Sequence, residues 1–411
     1  MNAYLLEVKT LESKSCCGSN TEDSKNKVVK IKPKIKLSNQ AEALLPNQNE
    51  KSCCCSGTSK CSSEPITRYD KKEHWIIGEI KTDAGLVPQI ATNLDFSDTL
   101  GAWKARWGIN RMDYKINPGI YAIGNPDKDS QVLVTANYKL TFDALRKELS
   151  GQNLWVLVLD TKGINVWCAA GKGTFGTKEI INRIGKTRLN EIVTRRTLIL
   201  PQLGAPGVSA HEVKKQTGFK VNYGTVRAKD IKQYFNNGMQ ATAEMRSVEF
   251  NIYDRLVLTP MELVGTLKVS LIIFGILFLI NLIAANPFGI TDFFAYTGAL
   301  VVGCVVTPVL LPWIPGRAFS WKGYLLGLIW AVGVNVINGW TISSSFSLIR
   351  GLGYFLVLPS ISAFYAMNFT GSSTYTSFSG VLKEMKVAVP LIATSIGVGS
   401  ILLLVTSFFK Y

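Results

Sequence analysis

Residues 131–173 read QVLVTANYKLTFDALRKELSGQNLWVLVLDTKGINVWCAAGKG, and the succession of periods along them decides the fold. An apolar run from Val132 gives way to a stretch in which Leu140 or Phe142, Leu145 and Leu149 recur at helical spacing. Ser150 and Gly151 end that helix, and Leu154 to Leu159 follows as an unbroken apolar run, the pattern of a strand covered on both faces. Strand, helix and buried strand make the unit of a parallel sheet. Working outward, IYAIG from Ile120, TLILPQL from Thr197 and FKVNYG from Phe219 repeat the strand pattern, while TKEIINRIGKT from Thr177, SAHEVKKQTG from Ser209 and AKDIKQYFNNG from Ala228 repeat the helical one. Residues 66–258 are therefore expected to form one α/β domain, Rossmann-like, with a largely parallel sheet.

The rest of the chain is built for other surroundings. The 411 residues carry a net charge of +16, but unevenly: of 45 Lys and Arg and 29 Asp and Glu, residues 260–411 hold 7 and 3. From Val269 onward eight charges separate five uncharged runs of 23 or more residues, each longer than the roughly 20 helical residues that cross a bilayer. Five membrane helices are expected, near 264–285, 293–313, 323–342, 351–369 and 387–408, so that residues 259–411 form an all-α transmembrane domain. Arg317, Lys322, Lys383 and Lys386 fall on one side, and only Arg350 and Lys410 on the other. Positive charge marks the cytoplasmic side, which places the α/β domain in the cytoplasm and the protein in the cytoplasmic membrane. Residues 1–65, rich in Lys, Ser and Asn, read as a disordered basic tail, and MNAYLLEVKTLESKS lacks the apolar stretch of a signal peptide. With 47% apolar residues, a wholly disordered chain is excluded.

Six of the eight cysteines lie in that tail: Cys16, Cys17, Cys53, Cys54, Cys55 and Cys61. Cys304 falls in the second membrane run, and Cys168 alone in the α/β domain. A disulfide framework is not expected in the cytoplasm. Cys168 follows the buried strand closely. Asn165 is a good N-cap, which makes Val166, Trp167 and Cys168 the first helical residues, where the helix dipole and the Lys172 cation would favour a thiolate. Ala169, Ala170 and Gly171 follow, three small residues on which a large planar group could rest with its centre near the sulfur. A small buried hydrophobe would look the same, and these residues alone leave both readings open. Gly171 to Gly176, GKGTFG, matches a dinucleotide fingerprint but starts eleven residues after Asp160 instead of directly after the strand. It is no phosphate-binding P-loop either, since Val166 and Gly173 stand where Gly and Ser or Thr are required.

NVWCAAGK, from Asn165 to Lys172, resembles the cap-helix motif of the mercury-methylating corrinoid proteins. The likeness extends through VLVTANYKLTFD (132–143) and LPQLGAPGVSAHEVKKQTGFKVNYGTVRAKD (200–230), blocks that also resemble the corrinoid domain of the corrinoid iron-sulfur protein of acetyl-CoA synthesis. With the membrane region appended, the resemblance covers roughly residues 70–411. It implies a corrinoid-binding α/β domain in which Cys168 is the lower axial ligand of cobalt. Asn165, Val166, Trp167, Ala169, Ala170, Gly171 and Lys172 match the surrounding helix, and Thr135 and Thr141 match positions beside the corrin. The DxHxxG motif of histidine-ligated cobalamin proteins is absent. Where the sequence departs from the family is its tail, whose adjacent cysteines suit capture of a thiophilic ion such as Hg(II) and its delivery to the corrinoid.

The activity implied is transfer of a methyl group from methyl-Co(III) corrinoid to Hg(II), forming methylmercury. An axial thiolate would let methyl leave with its electron pair, although radical transfer stays open. The implied partners are a methyltetrahydrofolate-type donor and, because no CxxC cluster motif is present, a small ferredoxin with two four-iron four-sulfur clusters. No iron-sulfur cluster is expected in this chain, and no nucleic-acid partner. Two other readings compete: a membrane-tethered corrinoid methyl carrier of one-carbon metabolism with a different acceptor, and a transporter with a regulatory α/β domain. Polar residues of the membrane runs, Cys304, Thr307, Asn335 and Asn338, suit either a metal pathway or helix packing, and packing is the expectation.

Overall fold

The computed structural model describes residues 73–283, 288–339 and 348–408. The six tail cysteines proposed for metal capture lie outside them. The chain opens with a hairpin of β1 (Ile76–Thr82) and β2 (Gly85–Ile90), then α1 (Phe96–Arg106), β3 (Gly119–Ile123) and β4 (Gln131–Ala136). There follow α2 (Lys139–Glu148), β5 (Leu154–Leu159), α3 (Val166–Gly171), α4 (Thr177–Lys186), α5 (Leu189–Ile192) and β6 (Thr197–Leu200). The unit closes with α6 (Ala210–Thr217), β7 (Lys220–Tyr223) and α7 (Ile231–Asn236).

Among the described residues these strands form one seven-stranded sheet in the order β1-β2-β3-β5-β4-β6-β7. The part β5-β4-β6-β7 is parallel, as expected. The strand IYAIG, β3, departs from that expectation and runs antiparallel to β5. Only residues 124–130 join β3 to β4, too few for the crossover a parallel pair needs. The hairpin and α1 are further elements outside the sequence expectation. α1 is opened by a capping box in which Asp95 and Asp98 each accept the other's backbone amide.

Two apolar layers flank the sheet. Val132, Val134 and Ala136 of β4 point to one side, against Val166, Ala169, Phe175, Ile180 and Ile184 of the α3–α4 region. Leu133 points to the other, against Phe142, Leu145 and Leu149 of α2. β4 is thus the strand at which direction reverses: the chain leaves it through α2 to reach β5, and from β5 passes through α3, α4 and α5 to β6 on the opposite flank. Ligands of such sheets bind beyond the carboxyl ends of the strands at this reversal. On the α2 side a buried ion network joins α1 to α2, with Lys139 Nζ 2.7 Å from both Asp98 and Asp143 and Arg146 bonded to the same two carboxylates.

After α8 (Ile252–Leu256), the described residues contain five helical stretches long and apolar enough to cross a membrane. They comprise α9 (Thr259–Ile283), α10 (Ile290–Val301) continued through a π-helical turn into α11 (Thr307–Leu310), α12 (Phe319–Ile337), α13 (Leu348–Asn368) and α14 (Phe378–Phe408). The π turn, Val302–Val306, ends two residues before Pro308, which has no amide to give, and Thr307 Oγ1 donates to the Val302 carbonyl at 2.8 Å. α14 starts nine residues before the expected 387, carrying Lys383, Glu384 and Lys386 inside the helix, because Glu384 Oε1 accepts the Ser320 amide at 2.6 Å and holds α14 against α12. Asp292 opens α10 and is paired with Arg350 at 2.8 Å. Asn335 and Asn338 donate to carbonyls of their own helix, Cys304 is buried, and the Asn335 Oδ1 is buried without a hydrogen-bond partner among the described residues.

Arg255 of α8 fastens the segment that follows the sheet domain to the apolar helices. It is buried at 2% exposure, donates to the Phe250 carbonyl at 2.6 Å and the Val309 carbonyl at 3.1 Å, and its Nη1 lies 3.3 Å from the Tyr375 hydroxyl. α8, α11 and the loop before α14 therefore meet at Arg255.

Candidate functional site

The site grows from one polar side chain at the carboxyl end of β4. Asn137, 2% exposed, accepts at a single oxygen the amides of Thr161 and Gly163, each at 3.0 Å. The Thr161 hydroxyl lies 2.9 Å from the same oxygen and 2.7 Å from the Ile164 carbonyl. These bonds pin the turn between β5 and α3. The turn needs two consecutive residues at positive φ, Lys162 at 59° and Gly163 at 72°. Asp160 supports the first, accepting the Lys162 amide at 3.1 Å and its ammonium at 2.7 Å. Partial burial pushes the Asp160 carboxyl up, but the bonds from Lys162 outweigh it and hold the group below the usual carboxylate range.

The pinned turn delivers Asn165 in extended conformation, and its side chain accepts the Cys168 amide at 2.9 Å, the N-cap expected from sequence. Such a cap is worth about 1 kcal/mol. α3 then places Val166, Ala169 and Ala170 inward and Trp167, Cys168 and Gly171 outward. The small buried hydrophobes of this segment are the alanines; the thiol is exposed. Lys172 is also exposed and closes the helix, its amide bonded to the Cys168 carbonyl at 3.1 Å.

A tight loop holds α3 from beneath. The 3₁₀ turn Gln202–Gly207 packs on it so closely that a Cβ at Gly207 would stand 2.2 Å from the Phe175 carbonyl and 3.1 Å from the Ala170 Cα. A Cβ at Gly204 would stand 2.5 Å from the Phe175 ring. On the exposed side the reverse holds, since a Cβ at Gly171 or Gly173 would meet nothing within 4 Å. The exposed thiol therefore has two glycines in open space on its C-terminal side, with Trp167 and Lys172 as the exposed side chains nearest it in the chain. GKGTFG is the loop from α3 into α4, with Phe175 buried, and not a phosphate loop following a strand.

The threonines stand elsewhere on the same edge. Thr135 is the penultimate residue of β4, buried, and alternation puts its side chain with Leu133, on the α2 side of the sheet. Thr141 lies half-buried in the first turn of α2. Asn137 stands between them and the β5–α3 turn. Its position was not singled out from sequence, and neither were Thr161, Gly204 or Gly207. The signal available was the A-N-Y step after an apolar strand, where a polar residue at a strand's carboxyl end must find partners once buried.

The profile of the family described as CO dehydrogenase/acetyl-CoA synthase delta subunit matches residues 109–235, a span that holds β3 to α7 and the whole of this site. Similar curated proteins include the acetyl-CoA decarbonylase/synthase complex subunit gamma of Methanopyrus kandleri, 31% identical over 126 residues, 30% of this chain and 27% of the relative. The subunit gamma of Archaeoglobus fulgidus is 32% identical over 124 residues (30% and 26%), and that of Methanocaldococcus jannaschii 30% over 129 residues (31% and 26%). The chain spans about a quarter of the length of these relatives, and the family match ends before the first apolar helix.

Proposed function

We propose that the α/β domain binds a corrinoid over α3 and carries methyl groups, tethered to a membrane by the five apolar helices, with Cys168 as the ligand beneath the metal. The observation that carries this reading is the exposed thiol on the first turn of a helix pinned at the carboxyl edge of the sheet. The similarity of residues 109–235 to subunits of a complex named for acetyl-CoA decarbonylation and synthesis supports a corrinoid protein of one-carbon chemistry.

When bound, the corrinoid would supply a cobalt able to take up and release a methyl group, and the Cys168 thiolate would be the donor that holds it and favours release of methyl with its electron pair. The chain's own residues do the positioning. Asn165 fixes the Cys168 backbone, Asn137 fixes the turn before it, and Ala169 and Ala170 seat the helix on β4 and β5. Gly171 and Gly173 leave room beside the sulfur, and Trp167 offers an exposed aromatic surface next to it. Thr135 and Thr141 would meet the ring's periphery from the α2 side.

The acceptor is where two readings part. Hg(II) as substrate is favoured by the thiol ligand and by NVWCAAGK itself; it brings with it a ferredoxin as reductant and a methyltetrahydrofolate-type donor. A carrier feeding an acetyl-CoA-forming complex is favoured by the relatives' names, and its partners would be subunits of such a complex. The full chain purified anaerobically should show a corrinoid absorption spectrum, with the cobalt–sulfur signature lost in Cys168→Ala. A wild type without corrinoid sinks both readings. Methylmercury formed by wild type and reduced at least about a hundredfold in Cys168→Ala supports the first acceptor, since even outer-shell partners of metal ligands cost 10–100-fold. A corrinoid-loaded protein that forms none, with ferredoxin and donor supplied, supports the second.

A further inference from the structure

At the end of the helical region nearest the sheet domain, a cleft of about 1310 Å³ opens between the α11–α12 connection, α13 and the first half of α14. Its mouth is basic. Arg317 and Lys383 are exposed, and among the described residues neither has a carboxylate partner. Lys322, also at the mouth, donates one of its three protons to the Leu311 carbonyl. The one carboxylate in the lining, Glu384, is engaged by the Ser320 amide at 2.6 Å.

Deeper in, the chemistry changes. Lys383, Val387 and Leu391 follow one another at four-residue steps along α14, so one helix face runs from a cation to bare hydrocarbon over about 12 Å. Val387 and Leu391 remain 64% and 63% exposed, with Ile392 beside them. Trp321 and Tyr324, stacked with ring centres 6.2 Å apart, and Tyr375 also line the cleft, residue types that gather at a membrane boundary.

Cations at the mouth, aromatic rings in the lining and an open apolar floor match one kind of molecule. We propose that this cleft binds an anionic phospholipid, its phosphate held by Arg317, Lys383 and the remaining donors of Lys322, and an acyl chain lying along Val387, Leu391 and Ile392. The proposal rests on membrane embedding of the five helices and not on the corrinoid reading. Tyr375 lines the same cleft and donates to the Phe250 carbonyl at 3.1 Å, so the bound lipid touches the residue that holds the connection to the sheet domain.

The test uses the full chain in detergent, titrated with phosphatidylglycerol or phosphatidylcholine and followed by native mass spectrometry. Wild type should retain phosphatidylglycerol selectively, and excess inorganic phosphate should not displace it. Arg317→Ala with Lys383→Ala should weaken that binding about thirtyfold, at roughly fivefold for each cation removed. Arg317→Lys with Lys383→Arg should restore it. Phosphatidylglycerol should also slow amide exchange in residues 250–255 of wild type and not of the double alanine variant. Equal retention of the two lipids, or unchanged selectivity in the double alanine variant, overturns the proposal; displacement by inorganic phosphate overturns it in favour of a site for free anions. Carbonate-resistant membrane pelleting of each variant reports embedding separately.

Discussion

Strand β5 and helix α9 are both runs of Leu, Ile, Val and Phe or Trp, yet their surroundings are opposite. Every residue of β5, LWVLVL, is buried. In the most apolar stretch of α9 only 11% of the residues are buried, and Leu271, Ile272 and Leu279 are each more than half exposed. The sheet domain satisfies hydrophobicity by covering it with helices on both faces. The helical region leaves it outward, which is stable only where hydrocarbon replaces water. Polar groups follow the same division: in the sheet domain they are gathered into networks that place a thiol, and in the helices they mostly fasten one helix to itself or to its neighbour.

The largest expected effect tests the polar half of that contrast. Asp98→Asn removes one carboxylate from a network whose two cations, Lys139 and Arg146, are buried, and should destabilise the sheet domain by about 3–5 kcal/mol in denaturant unfolding. Burial raises the Asp98 carboxyl, but Lys139 and Arg146 overcome it and hold the group well below the carboxylate range. A depressed folded pKa gives stability that is complete above the unfolded value of about 3.9 and is lost as pH falls below it. Wild type should therefore lose stability on acidification below about pH 4, with a shallower slope in the variant; equal slopes would remove Asp98 from the network's account.

A matched pair probes the apolar half. Leu157→Ala, inside β5, should cost about 2–5 kcal/mol. Leu279→Ala, 58% exposed on α9, should cost less than about 1 kcal/mol in lipid or detergent. Similar losses at the two positions would mean that α9 is covered by protein and not by lipid. Asn137→Ala comes between these in stability, at about 1–3 kcal/mol for the donors it abandons. Its sharper signature is mobility of the β5–α3 turn, read as faster amide exchange at Thr161 and Gly163. Unchanged exchange there would show that α3 is held by the loop beneath it alone.

What could be read from the sequence was local. LWVLVL declares a covered strand by its unbroken apolar run, Asn165 declares a cap by its position before the helix, and five long uncharged runs declare helices long and apolar enough to cross a membrane. What could not be read was decided over distance. The reversal of β3 depends on which strand it pairs with, and the β1–β2 hairpin lies at the sheet's edge, where Gly78, Glu79 and Lys81 dilute the apolar alternation. The direction in which Thr135 points required the register of β4 against both layers. Asn137 looks like any loop asparagine until the turn after β5, more than twenty residues away, is seen to depend on it.

That dependence bears on how a cofactor would be taken up. Because one asparagine oxygen already gathers the loop that carries the sulfur, the entropy of ordering this backbone is lost when the chain folds and not a second time at capture. If the proposed corrinoid binds here, the empty and loaded forms should share one backbone, so that loading would be limited by arrival of the ring and by ligand exchange at its metal, with no slow rearrangement of the protein in between.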